Sequence, residues 1–160
     1  MMKINIIAVG KIKERYFAEA CSEYVKRLGA FCKITVTEIA EYKCPDNPSP
    51  SDIKTTIENE GTRILGAIPS GAAVVPMCID GDKLSSENLS KHISDLAVKG
   101  GSSICFIIGG SWGLDDRVKA KGVFRLSMSQ MTFPHTLARV MLTEQLYRAF
   151  SIIKGTKYHK

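Results

Sequence analysis

The sequence is short of the features that most often give a chain's chemistry away. Its five cysteines, Cys21, Cys32, Cys44, Cys78 and Cys105, are scattered, odd in number and never spaced C-x-x-C. That argues against a disulfide framework or a zinc site and for a reducing compartment, the cytoplasm. Three histidines, His92, His135 and His159, stand far apart and make no metal site. No apolar run approaches the ~20 residues that cross a bilayer. The strand-like start meets charge at Lys11 and Lys13, unlike a signal peptide. G-x-G-x-x-G, G-K-[ST] and G-x-S-x-G are all missing, which removes support from dinucleotide, P-loop and serine-hydrolase readings. There is no internal repeat, low-complexity tract or linker, so residues 1–160 read as one domain with a full core.

One shortage is local. Residues 101–160 carry 3 Asp/Glu against 9 Lys/Arg, whereas residues 1–100 hold 13 of each. The whole net charge of +6 therefore sits in the last part of the chain. A one-sided basic balance fits a phosphate-rich partner, nucleic acid above all.

What is present alternates. Strand patterns at 3–9, 33–39, 72–79, 103–108 and 124–128 are each followed by a helical pattern, at 14–28, from Ser51 or Asp52 to 67, at 87–98 behind Ser85 or Ser86, at 114–120 and at 134–154. Asp80-Gly81-Asp82 reads as a turn, and Pro76 places its strand at an edge or a bulge. Five β-α units predict an α/β fold with a mostly parallel sheet and helices on both faces. Ligands of such sheets lie beyond the carboxyl ends of the strands.

Three strand ends are candidates: residues 77–81, 109–113 and 127–134. Gly109 and Gly110 follow a continuous apolar strand and let the backbone approach a ligand. The run SMSQMTFP mixes Ser127, Ser129, Gln130 and Thr132 with Met128, Met131 and Phe133. That mixture suits a ligand with polar edges and an apolar face, such as adenosine; the hydroxyls could equally serve only to cap the next helix. The last helix is apolar on more than one stripe, through Leu137, Val140, Met141, Leu142, Leu146, Phe150, Ile152 and Ile153. It is expected to be buried on two sides, against its own sheet and against either a second subunit or further helices of its own chain. Arg139, Arg148 and Lys154 lie on it, and Glu144 precedes Arg148 by four residues. The chain ends on Tyr158, His159 and Lys160: an aromatic face, a titratable imidazole and a cation.

Four blocks together, MKINIIAVGKIKERYF, FIIGGSWGL, LSMSQMTFPHTLARVMLTEQLYRAF and the terminal YHK, resemble the bacterial large-subunit ribosomal RNA methyltransferase H family of the SPOUT (α/β-knot) class. The resemblance spans nearly the whole chain. It implies a C-terminal trefoil knot, a cytoplasmic homodimer, and no membrane, DNA or metal. It also implies methyl transfer from S-adenosyl-L-methionine to N3 of a pseudouridine in 23S rRNA, on assembled ribosomes. The implied cofactor positions are Met77, Gly109, Gly110, Met128, Ser129, Gln130, Met131, Thr132 and Phe133. For the reaction it leaves His135, His159 or a water to take the N3 proton, and Arg139 or Arg148 to stabilise charge on the base. Tyr158 and His159 would fold over the partner subunit's pocket. Met77 replaces a more frequent Leu, Cys78 stands where an acidic residue is common, and Trp112 occupies a variable position where an aromatic could gate the pocket or add a stacking face. Two rivals stay open: a non-catalytic ribosome-binding factor using the basic face alone, and a SPOUT enzyme with another RNA target.

Overall fold

A computed structural model describes all residues, Met1–Lys160. The order is β1 (Lys3–Val9), α1 (Arg15–Leu28), β2 (Lys33–Ile39), α2 (Pro50–Ala67), β3 (Ala73–Lys83), α3 (Ser86–Val98), β4 (Ser103–Ile108), α4 (Asp116–Lys119), β5 (Leu126–Ser127) and α5 (His135–Lys154). All pairings are parallel, and the strands lie in the order β2-β1-β4-β3-β5. Alternation at period two explains the layers. Ile4, Ile6, Ile104 and Phe106 face a core closed by α1, α3 and α5, through residues such as Leu28, Ile93, Leu142 and Leu146. Ile7, Val9, Cys105 and Ile107 face the opposite core, closed by Ile64 of α2 and Val118 of α4. Every residue of β4 is buried, as its uninterrupted apolar run requires. Each fully buried Ile or Phe here contributes about 1.5–3 kcal/mol.

The helix ends follow local chemistry. Ser49, earlier than the sequence reading placed it, starts α2. Its hydroxyl accepts from the Asp52 N–H at 3.1 Å, and the Asp52 carboxylate accepts from the Ser49 N–H at 2.9 Å. This reciprocal box is worth about 1 kcal/mol, and Pro50 suits the first turn. Ser85 caps α3 through the Asn88 N–H. Gly155, at φ 68°, ends α5 in the left-handed conformation that glycine adopts without strain.

Two differences from the sequence reading matter for the site. β3 continues through Asp80-Gly81-Asp82, with its register against β5 shifting between Met77 and Asp82. Pro76 is on an interior strand, not an edge; it is the last β3 residue in register with β4, just before that shift. The shift leaves residues 78–81, between the two pairings with Leu126, without a partner on β5. β5 and α4 are also shorter than their sequence patterns, α4 starting only at its cap Asp115, whose side chain accepts from the Arg117 N–H. The many-sided apolar helix α5 packs on the sheet between α1 and α3, which covers much of the circumference that the sequence left open.

Candidate active site

The middle of β3, at its register shift, and the carboxyl ends of β4 and β5 enclose a cavity of about 670 Å³. Met77, Ile108, Gly109, Gly110, Met128, Ser129, Met131, Thr132, Phe133 and His135 line it, with Cys78, Ile79, Leu114 and Lys119. Of the sequence-derived cofactor positions only Gln130 is outside the lining. A wider groove of about 820 Å³ runs along α2 and α4. Only three of its eleven lining residues are apolar, and no strand end reaches it, so it lacks the mixed lining of a cofactor site.

The glycine loop is tight. The Gly113 N–H donates to the Gly110 carbonyl at 3.1 Å, and Gly113 sits at φ +89°. A Cβ on Gly109 would lie 3.0 Å from the Gly113 carbonyl carbon and oxygen, which are backbone and cannot swing aside. Trp112, at the tip of this turn, is 45% exposed. The second loop shapes itself: the Ser127 hydroxyl lies 2.8 Å from the Ile79 carbonyl and 2.9 Å from that of Ser129. The Met131 N–H donates to the Ser129 hydroxyl at 3.1 Å. The two serine hydroxyls are thus spent on holding the loop, leaving backbone groups and apolar side chains for a ligand. Burial pushes the Cys78 thiol up, against the opposing pull of Lys119.

The catalytic candidates divide. His135 lines the cavity, its Nε2 3.7 Å from a Glu41 carboxylate oxygen. Arg139 is buried, donating to Glu38 at 2.8 Å and to the Gly10 carbonyl at 2.9 Å, away from the cavity lining. Arg148, Tyr158 and His159 gather half a helix further on. The Tyr158 hydroxyl donates to Glu144 at 3.0 Å, and Arg148 Nε donates to the same carboxylate at 3.0 Å while its guanidinium covers the Tyr158 ring. His159 Nε2 is 2.8 Å from Glu87, and its Nδ1 is 3.4 Å from Arg148. Burial, then the bonds to Tyr24 and Glu144, hold the Tyr158 hydroxyl well above its ordinary pKa. The Glu87 carboxyl is held below its ordinary value by its own backbone N–H, then His159 and Ser85.

A smaller cavity of about 490 Å³ lies between the two groups. Leu126 and Met128 line both cavities, and Glu144 lines the smaller one. Sequence reasoning treated Glu144 as one half of a helix-surface pair and did not single out Glu87 or Glu60. The i,i+4 spacing signalled Arg148, but only the returning tail brings Tyr158 to the same carboxylate.

A family model described as "Predicted SPOUT methyltransferase" matches residues 2–159. The chain is 48% identical over 159 residues to ribosomal RNA large subunit methyltransferase H of Clostridioides difficile (strain 630), covering 99% of this chain and 100% of that protein. The same-named protein of Clostridium acetobutylicum is 48% identical, and that of Bacillus pumilus (strain SAFR-032) 47%, at the same coverage. Among solved structures, one from Haemophilus influenzae Rd KW20 superposes with a TM-score of 0.54 at 13% identity, over 99% of this chain and 70% of that one. One from Legionella pneumophila, in complex with the bound cofactor SAM, gives 0.50 at 12% identity, over 92% and 66%. At such identities the shared property is the fold. The identities near one half over the whole length carry more: the chain belongs to the ribosomal RNA large subunit methyltransferase H family of SPOUT methyltransferases.

Proposed function

We propose that residues 1–160 act as one unit, an S-adenosyl-L-methionine-dependent methyltransferase that methylates N3 of a pseudouridine in 23S rRNA. It works in the cytoplasm, as a homodimer, on assembled ribosomes. Family membership carries the reaction class and the trefoil knot, in which the last helix threads an earlier loop. The observation that carries the cofactor reading is the convergence of the β3 register shift and the ends of β4 and β5 on one cavity. Its size, its apolar walls and its close-approach glycines fit a nucleoside bearing a thioether chain. Met77, the Gly109-Gly110 backbone and residues 128–133 would hold the cofactor, which supplies a methyl group on a sulfonium.

The chain's own residues then have three tasks. Loops 109–113 and 127–134 align the methyl donor with the base, the main demand of an in-line transfer. A base must accept the N3 proton; His135 at the cavity and His159 on the tail are the two imidazoles that meet the demand. A cation must offset the negative charge left on the ring. Arg148 is a permanent cation held in place by Glu144, and it stands beside Tyr158 and His159. None of these three residues lines the cavity of its own chain, which supports a site completed by the partner subunit's tail. The basic residues of 101–160 supply contacts to rRNA phosphates.

Mass-spectrometric mapping of 23S rRNA from cells with and without the gene tests the reading. One pseudouridine should lose its N3 methyl in the deletion. An unchanged map, or calorimetry showing rRNA affinity without S-adenosylmethionine binding, rejects it in favour of a binding factor.

A further inference from the structure

A carboxylate buried behind the cavity has no part in the chemistry above. Glu60, on α2, is 4% exposed. One oxygen accepts the Tyr42 N–H at 3.0 Å; no side-chain donor reaches it. Burying a carboxylate on a single amide donor is costly, so a purely structural position would favour an amide or an apolar residue. Its location is informative. The other oxygen faces the glycine loop: a Cβ on Gly110 would stand 3.0 Å from it. On the opposite side, Tyr42 follows Glu41, whose carboxylate stands 3.7 Å from His135 at the cavity.

α2 presses on this loop at a second point. A Cβ on Gly61 would lie 2.5 Å from Asp115 Cβ. Arg117 locks that approach, bonding Asp115 at 2.8 Å and the Glu58 carbonyl at 2.9 Å. The Gly110 turn therefore rests on α2, with Glu60 at the contact.

We infer that Glu60 is a positioning residue for the cofactor cavity, setting the Gly110 turn with one oxygen and, through Tyr42, the Glu41–His135 pair with the other. This rests on the cofactor reading of the cavity. Burial and the Glu41 charge both push the Glu60 carboxyl up, consistent with a group kept there despite its cost.

Calorimetry with S-adenosylmethionine and turnover on ribosomes test it. Glu60→Ala should weaken cofactor binding about tenfold, and kcat at saturating cofactor should fall as well, because the Glu41–His135 pair loses its support. Glu60→Gln, whose amide oxygen can still accept the Tyr42 N–H, should stay within about twofold. Gly110→Ala should also weaken binding, and Glu60→Ala should relieve part of that loss in the double variant, because the new methyl loses its nearest neighbour while Val9 Cγ1 stays 3.1 Å away. Wild-type affinity in folded Glu60→Ala, or strictly additive losses in the double variant, overturns the inference. If Glu60→Ala fails to fold, Glu60→Asp carries the test, since a shorter carboxylate withdraws from both loops; unchanged affinity there overturns it too. Failure of the wild-type protein to bind S-adenosylmethionine would instead sink the underlying cofactor reading.

Discussion

The two halves of α5 serve unlike surroundings. Its first turn, at His135, opens onto a cavity built from backbone and apolar side chains, where Lys119 is the only charged group besides the titratable His135. Its second half carries Glu144 and Arg148 into a cluster in which almost every group is ionic or polar and paired. On the proposed reading, selectivity in the cavity would come from how closely the main chain can approach, which makes its glycines the positions to test. In the cluster it would come from charge placed by side chains, which makes Arg148, Tyr158 and His159 the positions to test. Met128, in the wall of both cavities, is where the two kinds of site touch.

The sharpest way to break this contrast is to remove residues 156–160. Methylation of ribosomes should be lost while calorimetric cofactor affinity is spared; retained turnover would show the cluster to be scaffolding. The converse variant is Gly109→Ala, whose methyl meets the Gly113 backbone. Cofactor binding should weaken by at least about tenfold, a cost of ~1.4 kcal/mol or more, with the tail contacts intact. Arg148→Ala should lower kcat by about 100-fold without moving cofactor affinity, as expected of a group acting on developing charge. Trp112→Ala should raise the KM for ribosomes about tenfold through a lost stacking face, with Trp112→Phe largely restoring it. This is the only tryptophan, so its fluorescence should also be quenched directly by rRNA.

A further effect, of similar size, is on stability. Arg117 holds the Asp115 carboxyl below its ordinary range, against burial, which opposes it. A carboxyl with a depressed folded pKa stabilises above its unfolded pKa, near 4, and loses that contribution as pH falls through the folded value. Asp115→Asn should therefore cost about 1–2 kcal/mol at neutral pH by urea denaturation. The gap to wild type should narrow below about pH 4; a gap independent of pH would show the contact to be packing only.

Much of the fold was legible because its signals are local. The continuous apolar runs in β1 and β4, and the apolar faces of α1 and α3, need only nearest neighbours to be recognised. The start of α2 was misplaced by two or three residues because an aspartate closes the capping box at Ser49, where glutamate is the usual signal. The length of β3 was missed because a glycine-containing Asp80-Gly81-Asp82 reads as a turn. Arg125 supplies its carbonyl to the Asp82 N–H at 2.8 Å, keeping the segment extended. For the site, the glycine and hydroxyl loops were visible as composition. The partition of the cationic candidates was not, since Arg139 and Arg148 share one helix yet meet Glu38 and Glu144 on different sides.

By itself the sequence determined the alternating elements, the loops at three strand ends, the basic last third and the family. Each of these depends on residue order within a few positions or on whole-chain similarity. Only the tertiary structure decided that β3, β4 and β5 open into one mouth. It alone set Glu60 behind that mouth, and turned the tail back so that His159 reaches Glu87, 72 residues away. Those contacts are fixed by how the parallel crossovers stack, and no local pattern encodes the partner that a crossover brings near.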